Sequence, residues 1–147
     1  MTLPVELFDR EAPPGVRFLV AWLAALPGGA GAERQATRDP LPFTELQRYD
    51  GHEDTVTDHG YYQLDHFAEA VDGKTAFTAC EEYSRLCKRR ILYLRSHSWT
   101  EVDVPDWGLA TADLVRCIES PHQQPYRDKQ IVRMVSRYYL DLRLVTV

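Results

Sequence analysis

The chain has 147 residues, of which 44% are hydrophobic and 27% are charged; these proportions are typical of a globular domain long enough to bury its own core. Its formal net charge is -5, and acidic and basic residues are mixed along it, which argues against the concentrated basic stripe of a nucleic-acid-binding domain. The only basic cluster is at 88–90, and we interpret it as a solvated helix face.

Membrane and secretion signals are missing from the sequence. The longest apolar stretch, 16–26, contains Arg17 and is shorter than the ~20 residues of a membrane-spanning helix. Glu6, Asp9 and Glu11 precede it, where a signal peptide would carry positive charge. The three cysteines are odd in number and form no CxxC motif, which favours buried free thiols. The sequence therefore predicts a protein made and kept in a cytoplasm.

The first predicted element is a helix that opens at Pro13 and Pro14, where a missing N–H costs little, and ends near Leu26. Its apolar stripe consists of Val16, Leu19, Val20, Leu23 and Leu26. The segment 27–40 that follows is rich in Gly, Ala and charged residues, and we interpret it as a mobile loop.

Two strands are predicted next, at 41–49 and 61–67, with an acidic turn between them that begins at Asp50-Gly51. Alternation in the second strand places one set of side chains on a single face. That set is Tyr62, Leu64 and His66.

The clearest helix is predicted at 74–95, and we expect Asp72 to cap it. Apolar or small residues recur there at spacings of three and four, while charged residues stay off the stripe. The stripe consists of Ala76, Cys80, Tyr83, Cys87, Ile91 and Leu94.

The last third of the chain begins with a predicted loop at 96–111, which carries Trp99 and Trp107 among acidic residues. A strand at 114–120 follows, and a longer one at 131–145 alternates strictly in period 2, which predicts one buried and one wet face. Its apolar or small face consists of Val132, Met134, Ser136, Tyr138, Leu140, Leu142 and Leu144. A strand of that length would span about 50 Å, against a usual ~17–20 Å. We therefore expect it to outrun its own core and to meet another chain.

The order of these elements, α-β-β-α-β-β, predicts an α+β fold in one domain over 1–147. We expect a four-stranded, mostly antiparallel sheet with the helices packed on one face. We also expect the apolar face of the last strand to pack against the helix at 74–95.

Residues able to do chemistry are few. His52, His59 and His66 are seven apart, but in a strand–turn–strand this odd offset alternates the side on which they lie. His52, Asp58 and His59 could form a loop metal site, although turns are rich in Asp in any case. The sequence contains no GxSxG, no HExxH and no glycine-rich loop between a strand and a helix. We assign no catalytic, cofactor-binding or metal-binding residue.

Aromatic residues are the candidates for contacts with other chains. The pairs Tyr61-Tyr62 and Tyr138-Tyr139 each place one ring on either face of the sheet. The loop tryptophans either pin their loop to the domain or anchor an interface, and both interpretations stay open for Trp107 as for Tyr139. The candidate subunit-interface residues are Tyr61, Trp99, Trp107, Arg133, Arg137, Tyr139 and Arg143. We expect the basic wet face of the last strand to meet the acidic 96–111 loop of a neighbouring subunit.

Four segments in sequence carry a family resemblance: DPLPFTELQRYDG at 39–51, YYQLDHFAEA at 61–70, LVRCIESPHQQPYRD at 114–128 and VRMVSRYYLDLRLV at 132–145. With the helices between them, they resemble the tail terminator proteins of long-tailed phages, particularly those that infect actinobacteria. The resemblance covers about 14–145. The 96–111 loop departs from it, being longer and more acidic than the family pattern.

This resemblance implies a structural virion protein without catalytic residues or cofactor. It would form a homo-hexameric ring at the head-proximal end of the tail, end tail-tube polymerisation and join the tail to the head-side connector. Its partners would be further copies of itself, the major tail tube protein and the connector or stopper protein. No membrane is implied, and DNA would only pass through the ring. Assembly would take place in the host cytoplasm.

Two alternatives remain open at this point. One is another head-to-tail connector, such as a head-closure protein, or a minor tail protein. The other is a small metal- or ligand-dependent enzyme built around His52, Asp58 and His59.

Overall fold

The computed structural model describes residues 2–4, 10–35 and 38–146 of the chain. The helices are α1 (Gly15–Leu23) and α2 (Ala76–Ser96). The strands are β1 (Arg10–Glu11), β2 (Gly29–Gly31), β3 (Phe43–Glu53), β4 (Thr57–Glu69), β5 (Val102–Val104), β6 (Gly108–Ala110), β7 (Ala112–Gln124), β8 (Ile131–Arg143) and β9 (Val145–Thr146). The fold is α+β, as the sequence predicts.

The main sheet has five strands in the order β2–β3–β4–β8–β7. Neighbours from β3 to β7 are antiparallel, but β2 pairs with β3 in parallel, so the sheet is mixed. The prediction of four strands is therefore wrong in detail. The extra strand, Gly29–Gly31, lies in the segment 27–40, and the Tyr83 hydroxyl donates to its Gly29 carbonyl at 2.8 Å.

The last long strand does not outrun the sheet. β4, β7 and β8 each contain 13 residues, and β8 pairs with β4 along its whole length, from Ile131↔Glu69 to Arg143↔Thr57. The expectation that it outruns its own core is wrong, because the neighbouring strand β4 is equally long. The observed strand also ends earlier than the predicted 131–145, since Leu144 separates β8 from β9.

Both helices pack on one face of the sheet, where the main core lies. The predicted apolar face of β8 contributes Tyr138, Leu140 and Leu142, all fully buried, and the α2 stripe packs on it. The α2 residues of this core are Tyr83, Cys87, Ile91 and Leu94, and those of α1 are Phe18, Leu19 and Leu23. A smaller cluster joins Cys80 to Met134. The predicted packing of the helix on the last strand is thus observed.

The helix ends differ from prediction for local reasons. The residue that caps α2 is Thr75, whose side-chain oxygen accepts a hydrogen bond from the Thr78 N–H at 3.2 Å, so Asp72 is not the cap. α1 begins at Gly15, where a residue with a Cβ would clash with the Tyr62 side chain.

Of the helices that the structure describes, neither combines the length and the apolar character needed to cross a membrane.

The segment 96–111, predicted as a loop, contains the antiparallel hairpin β5–β6. Val102 and Val104 are buried and join the main core, while Asp103 between them is exposed. The Arg17 guanidinium donates to the Pro105 carbonyl and ties the hairpin to α1. Period-2 burial over three residues is too short a pattern to be distinguished from a loop by sequence.

Candidate assembly surface

The second face of the main sheet carries no helix of the described residues. We call it the open face. Because side chains alternate across a strand, it is formed by the odd-numbered residues of β4 and β8. Its central members are His59, Tyr61, Gln63, Asp65, Arg133, Val135, Arg137, Tyr139 and Asp141. Five of the predicted interface residues therefore lie on this face: Tyr61, Arg133, Arg137, Tyr139 and, at its end, Arg143.

The β8 arginines of the open face are already paired within the chain. The ion pairs are Arg133–Asp65 at 2.9 Å, Arg137–Glu119 at 3.2 Å and Arg143–Asp113 at 3.0 Å. Arg137 also donates to the Gln63 side-chain oxygen at 3.0 Å. The face is therefore close to neutral, and its geometry does not favour the expected contact with an acidic loop of a neighbour.

Tyr139 is held inside its own chain although it lies on the open face. Only 7% of it is exposed, because the Tyr61 ring meets it edge-on at 4.9 Å between centroids and the Arg116 guanidinium lies 4.8 Å over it. Its hydroxyl lies 2.8 Å from Nδ1 of His59. Of the two interpretations left open for Tyr139, the geometry favours in-chain packing.

The two tryptophans of the segment 96–111 have different environments. Trp107 is half-buried and packs against the main core, so it pins the β5–β6 hairpin to the domain. Trp99 is 71% exposed and lies 5.2 Å from His97, whose ring stacks on Tyr93 at 3.8 Å. Trp99 is therefore the exposed aromatic side chain of this segment.

His59 lies between two carboxylates. Its Nε2 is 2.7 Å from an Asp54 oxygen and its Nδ1 is 2.6 Å from an Asp141 oxygen. The hydrogen bond to Asp54, followed by that to Asp141, raises the pKa of His59. The same bond lowers the pKa of Asp54 to about 2. His52 stacks on His59 at 4.7 Å.

Asp58 is separated from that cluster, because it lies on the helix-covered face. Its two oxygens accept from the two terminal nitrogens of Arg48 at 2.6 and 2.9 Å. The structure therefore does not bring His52, Asp58 and His59 together as a ligand set. Within 2–4, 10–35 and 38–146, no group of three or more His, Cys, Asp or Glu residues is placed to hold a metal ion.

A buried polar row crosses three strands beneath α2, and the sequence analysis did not identify it. Nδ1 of His66 lies 2.8 Å from the Thr44 hydroxyl, and its Nε2 lies 2.8 Å from the Ser136 hydroxyl. All three residues are fully buried, and burial lowers the pKa of His66 to about 3. Because no substrate reaches a fully enclosed hydroxyl, the row is a core feature that joins β3, β4 and β8. The sequence signal for this row was a polar residue in each strand at a position that alternation places on the buried face.

No known protein-family model matches this chain, and a search of curated proteins finds no match.

Proposed function

We propose that this chain is a structural subunit of a phage virion, which forms a ring at the head-proximal end of the tail. The ring ends tail-tube polymerisation and joins the tail to the head-side connector. The ordered segments between 39 and 145 resemble such proteins, and the α+β fold is compatible with the proposal.

The observation that carries the proposal is the one-sided sheet. Three 13-residue strands present a wide face that no helix of the described residues covers. Copies related by rotation in a closed ring turn the same face toward the same side. A one-sided sheet therefore suits a subunit whose open face lines a central channel.

The charge on the open face supports this arrangement. A protein holds nucleic acid mainly by neutralising phosphates with free Lys and Arg. On the open face each arginine of β8 has a carboxylate partner, as in Arg133–Asp65 and Arg137–Glu119, and Arg116 of β7 lies over the Tyr139 ring. Such a wall lets DNA pass along it without retaining it.

The two ends of the sheet are suited to different partners. The β3–β4 turn at 54–56 lies at the Arg143 end of β8, and the β7–β8 turn at 125–130 lies at the Ile131 end. The first end carries Asp50, Glu53 and Asp54. We infer that one end of the ring meets the tail tube and the other meets the connector.

Gene deletion tests the proposal. A phage that lacks this gene should produce overlong or unattached tails beside filled heads, seen by negative-stain electron microscopy of the lysate. A plasmid copy of the wild-type gene should restore normal particles. Tails of uniform normal length attached to heads in the deletion lysate would refute the proposal.

A further inference from the structure

A groove runs between the outer side of α2 and β7, the edge strand of the main sheet. Its volume is about 690 Å³. The lining residues that matter here are Phe77, Arg85, Lys88, Arg89, Tyr93 and Arg95 from α2 and its last turn. Residues 120–123 of β7 form the opposite wall, and Met134 lies at the base. We call it the α2–β7 groove.

The groove concentrates positive charge in a chain whose net charge is -5. It holds four cationic side chains and one carboxylate, that of Glu81. Lys88 donates to the Ser120 hydroxyl at 3.0 Å. Among the residues that the structure describes, none forms an ion pair with Arg85, Arg89 or Arg95. These arginines differ in this respect from the paired arginines of the open face.

The groove is also partly apolar. Phe77 is 44% exposed and Tyr93 is 48% exposed, so both present ring surface beside the cations. Aromatic and arginine side chains together are the residues most often found at the energetically important centre of protein interfaces. The occupant that fits is a segment with carboxylates and apolar side chains.

The β5–β6 hairpin of this chain has that composition. Glu101, Asp103 and Asp106 are exposed on it, and Trp99 and Leu109 are exposed apolar residues beside and within it. Within one chain the hairpin contacts α1 and joins β7 at Ala112, whereas the groove uses residues 120–123 of that strand. Eight residues of strand separate the two positions by about 25 Å. The start of β7, which the hairpin joins, therefore lies well away from the β7 wall of the groove.

We propose that the acidic β5–β6 hairpin of one subunit docks in the α2–β7 groove of the next copy. The inference rests on the proposed function, because it names the contact that closes the ring. Two different surfaces of the same chain meet, so the contact is heterologous and repeats by rotation. The opposite charges favour orientation and encounter, and the exposed aromatic side chains provide the area that becomes buried.

Charge reversal tests the contact. The groove variant is Arg85→Glu/Arg89→Glu, and the hairpin variant is Glu101→Lys/Asp103→Lys. Sedimentation velocity at rising concentration should show that the wild type self-associates and that salt weakens its association. Each variant alone should associate more than tenfold more weakly, because it sets like charges against each other. A 1:1 mixture of the two variants should associate again. The acidic groove of the first variant then meets the basic hairpin of the second, and the basic groove of the second meets the acidic hairpin of the first.

Restored association of the mixture also excludes misfolding as the cause of the losses. The matched control is Arg127→Glu/Lys129→Glu in the β7–β8 turn, which makes the same change of net charge at exposed positions outside the groove. It should associate like the wild type. The inference is overturned by a wild type that stays monomeric up to millimolar concentration, a groove variant that associates normally, or a mixture that stays monomeric. Loss of DNA-duplex binding by the groove variant with unchanged self-association would overturn it as well.

The gene deletion separates this inference from the proposed function. Overlong tails in the deletion lysate with a groove variant that still assembles would leave the terminator role intact and exclude this contact. Normal tails in the deletion lysate with restored association of the mixture would establish the contact and exclude the tail role.

Discussion

Acidification should destabilise the folded chain through His66, the central member of the buried polar row. The pKa of this imidazole falls from an ordinary 6.5 to about 3 in the folded chain because burial disfavours its charged form. Between pH 6.5 and pH 3, His66 therefore binds a proton in the unfolded chain but not in the folded chain. The stability that depends on neutral His66 is complete above pH 6.5 and is lost as the pH falls toward 3.

The magnitude follows from the separation of the two pKa values. Each pH unit between them corresponds to about 1.4 kcal/mol, so the loss is about 2 kcal/mol at pH 5 and about 3 kcal/mol at pH 4. A domain of this size is typically stable by ~5–15 kcal/mol. His66 alone should therefore remove a large part of that stability at pH 4.

Urea unfolding between pH 7 and pH 4 measures the effect, and His66→Gln is the informative variant. This variant loses stability at pH 7, because its amide does not reproduce both contacts with Thr44 and Ser136. Its free energy of unfolding should nevertheless depend much less on pH than that of the wild type. The comparison concerns the slope of the unfolding free energy against pH, so the stability that the variant loses at pH 7 does not affect it.

His59 provides the control, because its pKa is shifted in the opposite direction. A raised folded pKa contributes stability below pH 6.5 that is lost as the pH rises through the folded value. His59→Gln should therefore leave the slope of the unfolding free energy between pH 6.5 and pH 4 unchanged, because the contribution of His59 is constant there. Asp54, whose pKa is lowered to about 2, loses its contribution only below its ordinary 3.8, outside the measured range. Parallel slopes for the wild type and His66→Gln would refute the reasoning.

Two further substitutions test the face assignment and the buried ion pair. Leu140→Asp places an unpaired charge in the fully buried core and should abolish cooperative thermal unfolding in circular dichroism, at a cost of several kcal/mol; a soluble, cooperatively folding variant would contradict the assignment. Arg48→Ala leaves the buried Asp58 carboxylate without its partner and should lower the midpoint of urea unfolding more than Arg143→Ala, whose pair with Asp113 is exposed. Equal midpoints in the two variants would show that the Asp58 site is hydrated.

The elements that could be predicted from sequence are those with long periodic patterns. Alternation in β8 assigned each of its side chains to the correct face, including Leu140 in the core and Arg137 on the open face. The α2 stripe likewise identified Cys87 and Ile91 as core residues. In both cases the pattern repeats often enough for local periodicity to decide the structure.

The elements that were missed depend on pairing with distant residues. β2 is Gly-Ala-Gly, which has no strand signal and exists through its parallel pairing with β3. β3 and β4 extend beyond prediction because His52↔His59 and Glu53↔Asp58 continue the ladder without an apolar alternation. β7 continues through Pro121, which an edge strand tolerates at a bulge.

The charge pattern of the surface was the least predictable feature, because ion pairing depends on residues far apart in sequence. Arg133 and Asp65 are separated by 68 positions, and nothing local to Arg133 indicates that its charge is neutralised. From the sequence alone, the arginines of β8 were therefore predicted to belong to the docking surface, and 88–90 was predicted to be a solvated helix face. The fold favours a different assignment, since it pairs the β8 arginines and leaves Arg85 and Arg89 beside exposed rings. A carboxylate from another subunit gains more at an unpaired arginine than at one that already has a partner, because a satisfied ion pair would have to be broken first. This difference in free energy favours the α2–β7 groove over the β8 arginines as the site of the proposed contact.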